Sequence, residues 1–224
     1  MNEGPGMVGE GQGADRAGVE IKDQARAKDK LLDTAAAIMR DNDSDDVSLS
    51  ELSLRSGLNS ALVKYYFDNK AGLLRALLDR EMAEIVHSLQ ALVGKDMDPA
   101  ARLERHVGAM VDRLYDAPYL NRLLMKLVRE SDAGEAQRIA DTYLTPLGEA
   151  YERLIREGVE KGEFRDVDPQ LFYFTVTGAV DRFFSARLVL RHCYDRDTLT
   201  EELRDAYREH VTRFVMAGLA ADDG

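Results

Sequence analysis

Residues 56–74 read SGLNSALVKYYFDNKAGLL, and the glycine near the start of this stretch constrains the fold more than any other feature. Upstream, Ser48 and Glu51 stand three apart, the spacing of a capping box in which hydroxyl and carboxylate satisfy two free amides at a helix start. Leu49, Leu52 and Leu54 then supply the apolar stripe of a helix about two turns long. Gly57 falls where that helix should stop, because glycine takes the left-handed conformation of a C-terminal cap at no steric cost. Asn59, a favoured N-cap residue, opens a second short helical stretch over Ser60 to Phe67. Two short helices around a tight glycine turn describe a helix-turn-helix.

The rest of the chain extends this into an all-α fold. From about Gln24 to Arg40, Leu31, Leu32, Ala35, Ile38 and Met39 recur at helical spacing, and the polar run DNDSDD ends the helix. Residues 1–21 are glycine-rich without apolar periodicity and read as a flexible tail. Beyond Ala71, breakers at Gly94, Pro99, Pro118, 131–134, 161–169 and 194–198 place helices at about 71–93, 99–116, 118–131, 135–161, 169–193 and 198–219. Pro146 implies a kink or boundary inside the fourth of these. The expected organisation is a tail over 1–21, a three-helix head over 22–70 and a larger helical body over 71–224.

Composition narrows the function classes. No run of about 18 uncharged apolar residues is present, so no membrane-spanning helix is expected. The N-terminus lacks the basic and apolar regions of a secretory signal, and the reading is cytoplasmic. The single Cys193 closes no intrachain disulfide and completes no thiol zinc site, so neither a metal nor a cofactor is expected. Four histidines, no phosphate loop and no nucleophile elbow argue against an enzyme. The net charge of −11 hides a local balance: residues 22–80 hold ten Lys and Arg against ten Asp and Glu, so the acidic excess lies elsewhere.

In a helix-turn-helix the second helix enters the major groove, its first residues meet base edges, and flanking groups hold phosphates. Ser60, Ala61 and Leu62 are then nearest the bases, with Ala61 and Leu62 able to touch a thymine methyl. Lys64, Tyr65 or Tyr66, and Lys70 have the reach to grip the backbone. Periodicity alone leaves Tyr65 and Tyr66 open between core and phosphate contact, and assigns Phe67 to the core.

In register from Ala27 to Leu74, the segments LLDTAAAIM, VSLSELSLRSGL and GLNSALVKYYFDNKAGLL resemble the TetR family of bacterial transcriptional regulators. Gly57, the Tyr66–Phe67 pair, Lys70 and the leucines at 73 and 74 carry the resemblance most specifically. It implies that Lys70 binds a phosphate at the start of the fourth helix, and that Ser48, Asn59, Ser60, Ala61, Leu62, Lys64, Tyr65 and Tyr66 join it on the DNA face. The chain departs from the family where Ala61 replaces a frequent Gly, Lys64 a frequent Tyr, Met39 a Phe, and Ser50 a basic residue. Operator preference should differ at Ala61 and Lys64 accordingly. The resemblance further implies a homodimer on a palindromic double-stranded operator, released by a small-molecule effector. A helical adaptor or ligand-binding module without DNA contact is the alternative.

In the body, residues 171–190 are the most apolar segment, and Val211, Phe214, Val215 and Leu219 recur at helical spacing. Those stripes are too wide for one core and call for a symmetric partner. Met110, Leu114, Tyr115, Leu124, Met125, Tyr143, Tyr151, Phe172, Phe183 and Phe184 are the large side chains expected on pocket-lining helices. Asp181 and Arg182 stand out among apolar neighbours, as a dimer contact, an internal ion pair with Arg129 or Glu130, or a ligand anchor. His106 reads as a solvent-facing side chain.

Overall fold

The computed structural model describes residues 11–221. Its helices are α1 (Gly11–Asn42), α2 (Leu49–Ser56), α3 (Ala61–Phe67), α4 (Lys70–Val93), α5 (Pro99–Asp116), α6 (Leu120–Glu130), α7 (Ala133–Ile139), α8 (Thr145–Glu160), α9 (Pro169–Ser185), α10 (Arg187–Tyr194) and α11 (Glu201–Leu219). No strand is formed among the described residues, where one isolated antiparallel bridge joins Phe164 to Ala220.

The first three helices close around Leu31, Ala35, Ile38, Leu52, Val63 and Phe67, all buried. Gly57 sits at φ 67°, the left-handed C-cap that the sequence requires, and its amide donates to the Ser53 carbonyl. At Gly72 the constraint is space instead: an added Cβ would lie 1.9 Å from the Phe67 carbonyl oxygen, so only glycine lets α4 start this close to the end of α3. Asn69 caps α4, its side chain accepting from the Gly72 amide at 2.9 Å.

Helix α4 is the longest link between head and body. Its Arg80 pairs with Asp33 of α1 at 2.7 Å, its buried Glu81 pairs with Arg113 of α5, and its Asp79 accepts from Arg138 of α7 and from Tyr143. Behind it, α5 packs on α11 and α9, and α8 packs on α4 and α9, placing the body core at Leu103, Val107, Val111, Leu154, Ile155, Val176 and Val180.

Three expectations are corrected and one is borne out. Helix α1 begins at Gly11 and not near Gln24, so of the expected tail only residues 1–10 lie outside the described residues. Ser48 is the N-cap of α2, but no capping box forms: its hydroxyl pairs with Ser50 at 2.6 Å, while Asn42 and Arg55 hold the Glu51 carboxylate. The boundary expected at Pro146 inside 135–161 is present: a π turn over Ala140–Leu144 separates α7 from α8, and Pro146 stands in the first turn of α8. The expected helix 169–193 breaks at Ala186 (φ −96°, ψ 36°), and the break turns α10 so that Arg187 donates to the Arg40 carbonyl at the end of α1 at 2.8 Å.

Candidate nucleic-acid interface and effector site

Helix α3 has a 3.6-residue period, so its core contacts at Val63 and Phe67 leave the opposite face outward. On or beside that face Asn59, Ser60, Ala61, Lys64 and Tyr65 are exposed, Tyr65 at 68%. Leu62 and Tyr66 are half-buried against the head core, which resolves the two tyrosines: Tyr65 projects outward, and Tyr66 lies between it and Phe67 in edge-to-face contacts. Asn59 accepts from the Ala61 amide at 2.8 Å and so fixes the entry to the helix. The exposed Lys64 side chain makes no hydrogen bond or ion pair with a described residue. Ser48 is also exposed, at the start of α2.

Lys70 stands at the first turn of α4, where backbone amides and the helix dipole favour an anion. Its ammonium is not free in this structure: it donates to Asp46 Oδ2 at 2.9 Å. Burial raises the Asp46 carboxyl, but hydrogen bonds from Lys70 and the Val47 amide, with the charges of Lys126 and Lys70, hold it below its ordinary value. The loop carrying Asp46 is held from the body side as well, by Arg122 on Asp43 at 2.6 Å and Lys126 on Asp46 at 3.6 Å.

The second cluster lies where α5, α8 and α9 meet. Tyr151 is buried, with Tyr173 edge-on at 5.1 Å and Phe172 at 6.3 Å between ring centroids. His106, expected in solvent, is only 8% exposed and shares a 2.6 Å hydrogen bond with Tyr151 Oη. Burial pushes His106 down to about 4 and the Tyr151 hydroxyl upward, so both are neutral across the physiological range. The signal was present in the sequence: His106 follows Leu103 by three residues and precedes Met110 by four, on the inward stripe of α5. Arg102, one turn before, is also buried, donating to the Val93 carbonyl at 2.6 Å and pairing with Glu157 at 2.5 Å.

Of the other candidate lining residues, Met110 and Leu114 are half-buried on α5, and Leu124 is buried on α6 while Met125 beside it is 38% exposed. Tyr115 meets Phe184 edge-on at 6.3 Å under the Arg204 guanidinium, and Phe183 stacks on Tyr207 at 3.7 Å. Tyr143 is committed to Asp79. Burial raises the Asp181 carboxyl, despite the opposing influence of Asn121 and of the Arg122 and Arg182 charges. These residues therefore do not form one cluster: Tyr151 and Phe172 gather around His106, and Tyr115, Phe183 and Phe184 gather against α11.

No helix among the described residues is long and apolar enough to cross a membrane. Residues 31–77 match the family described as "Bacterial regulatory proteins, tetR family", and residues 96–224 match "Tetracyclin repressor-like, C-terminal domain". The HTH-type transcriptional regulator BetI of Serratia proteamaculans is 27% identical over 103 residues, which cover 44% of this chain and 49% of that protein. The chain thus spans about half the length of the curated relatives it matches. Among solved structures, the ketosteroid transcriptional regulator KstR2 of Mycobacterium tuberculosis shares the fold with a TM-score of 0.67 at 16% identity, covering 86% of this chain and 94% of that one. FadR of Bacillus subtilis, solved with stearoyl-CoA, does so with a TM-score of 0.62 at 17% identity, covering 84% and 97%.

Proposed function

The chain belongs to the TetR family of bacterial transcriptional regulators, and from that premise we propose that it is a homodimeric repressor released from a palindromic operator by a small-molecule effector. The observation that carries this reading is the outward face of α3, where Ser60, Ala61, Lys64 and Tyr65 are exposed together with Lys70 half-buried at the first turn of α4. Ser60, Ala61 and the edge of Leu62 meet bases; Lys64, Tyr65, Tyr66 and Lys70 hold phosphates, with Asn59 and Ser48 at the margins. Residues 22–70 act as the DNA-binding head and 71–224 as the ligand-binding and dimerisation body.

Dimerisation takes support from Leu171 and Phe174 on α9 and Phe214 on α11, which are 68%, 63% and 70% exposed. Large apolar side chains gathered on the last helices mark a surface that a second copy covers. The effector reading takes support from the neutral His106–Tyr151 pair set among Tyr173 and Phe172, an apolar surround with a polar anchor that suits a largely hydrophobic ligand. Among similar folds, the FadR structure of Bacillus subtilis is in complex with stearoyl-CoA, whose acyl chain is apolar and whose coenzyme A part is charged. Such a regulator works in the cytoplasm, where its DNA is.

The test is a mobility shift with the DNA upstream of the protein's own gene. The wild type should retard it, and Lys64→Ala with Lys70→Ala should abolish the shift while leaving the dimer intact. Equal retardation by that variant would take Lys64 and Lys70 off the DNA face, and no retardation by the wild type, even at low salt, would favour the adaptor without DNA contact.

A further inference from the structure

Asp46 has a role that the DNA-binding reading does not use. Its Oδ2 accepts from Lys70 at 2.9 Å and lies 3.6 Å from the ammonium of Lys126, while Oδ1 accepts from the Val47 amide at 2.8 Å. Lys126 belongs to α6, in the body, and its side chain is 16% exposed. It is held in place by the Asp45 carbonyl at 3.5 Å and the Asp45 carboxylate at 3.9 Å. One turn before it on α6, Arg122 is anchored to Asp43 at 2.6 Å, so the approach of α6 to this loop is fixed at two points. One carboxylate thus joins the phosphate-binding lysine of the head to a lysine of the body.

We propose that Lys126 is a positioning residue for DNA binding, setting the phosphate grip of Lys70 by sharing Asp46 with it. For Lys70 to reach a phosphate, its ammonium must leave Asp46. With Lys126 in place the carboxylate keeps a counter-ion when Lys70 departs. Without Lys126 the departure leaves a part-buried carboxylate unpaired beside an incoming phosphate, and Lys70 stays bound to Asp46 instead. A movement of α6 then reaches the DNA face through this single carboxylate, with no change in the shape of α3. The inference rests on Lys70 contacting phosphate, as the proposed function has it.

The experiment uses the full-length protein and a fluorescent duplex selected with the wild type from a random-sequence library, read by anisotropy across a salt series. Lys126→Met should weaken binding about 5-fold, the scale of a partly exposed ion pair, and Lys126→Arg should restore it. The slope of log affinity against log salt should fall by about 0.9 for each phosphate that is no longer gripped. In a Lys70→Met or an Asp46→Asn background, Lys126→Met should have no further effect, because its route to DNA has been removed. Those backgrounds also separate this outcome from a folding defect, which would persist in them. Wild-type affinity in Lys126→Met, or an undiminished loss in the Lys70→Met background, overturns the inference and leaves the DNA-binding reading standing. Failure of the wild type to retain any duplex overturns both.

Discussion

Replacing His106 by Gln should flatten the acid side of the stability profile. His106 is buried against Tyr151, and burial pushes it from 6.5 down to about 4. Above about pH 6.5 both folded and unfolded chains carry it neutral, and it adds no pH dependence. As pH falls below that, the unfolded chain takes up a proton that the folded chain refuses, so stability declines until the folded-state value is reached. A tenfold change in proton affinity is worth about 1.4 kcal/mol, so the interval between the two values corresponds to roughly 3 kcal/mol, of which about 2 kcal/mol is lost by pH 5.

Glutamine keeps a hydrogen-bonding group for Tyr151 Oη without a titrating one. The assay is urea unfolding followed by circular dichroism, for wild type and His106→Gln at equal protomer concentration, near pH 7 and near pH 5. Asp46, Glu135 and Glu157, whose carboxyls lie below their ordinary values, lose stability in acid as well, but equally in both proteins. The difference between the two pH dependences therefore isolates the histidine. Wild type should lose about 2 kcal/mol more than the variant over that interval. Parallel losses would show that the imidazole is hydrated or charged in the folded protein, and would remove the neutral anchor on which the effector reading leans.

Two further outcomes follow from packing. Gly72→Ala puts a methyl 1.9 Å from the Phe67 carbonyl oxygen, a backbone atom that cannot rotate away, so the α3–α4 corner must open. Denaturant unfolding should show a loss of about 2 kcal/mol together with weakened DNA binding, and wild-type values for both would refute the close approach. Phe214→Glu, at a side chain 70% exposed, should halve the mass seen by sedimentation while costing the protomer fold under about 0.5 kcal/mol. An unchanged mass would place the dimer contact elsewhere.

Legibility from sequence followed the range of the forces involved. Gly57, the Asn59 turn and the Val63–Phe67 spacing act within a few residues, and the head could be read from them. The capping box failed because Ser50, Asn42 and Arg55 offered Ser48 and Glu51 other partners, a competition that spacing does not display. The break at Ala186 has no local breaker at all; it goes with a hydrogen bond from Arg187 to a carbonyl 147 residues away. His106 was misplaced for a different reason. Its position on the α5 stripe was visible, but a histidine there reads as solvated unless its partner Tyr151, 45 residues on, is known to reach it.

DNDSDD, by sequence, is only a helix stop. In the fold its carboxylates are distributed among cations: Asp41 to Arg55 at 2.5 Å, Asp43 to Arg122 at 2.6 Å, Asp46 to Lys70 and Lys126. An acidic loop next to the proposed DNA-binding face would repel phosphate if left unpaired, and pairing it from the body would convert that liability into a dependence on where the body stands. On the proposed DNA contacts, Lys64, whose ammonium makes no such pair, would contribute its charge to DNA whatever the position of α6, whereas Lys70 would contribute only when Asp46 is satisfied by something else. Electrostatic attraction to DNA in the proposed complex would thus divide into a constant part on α3 and a conditional part at the first turn of α4. On that reading, only the conditional part would give the effector proposed among α5, α8 and α9 a charge to act on.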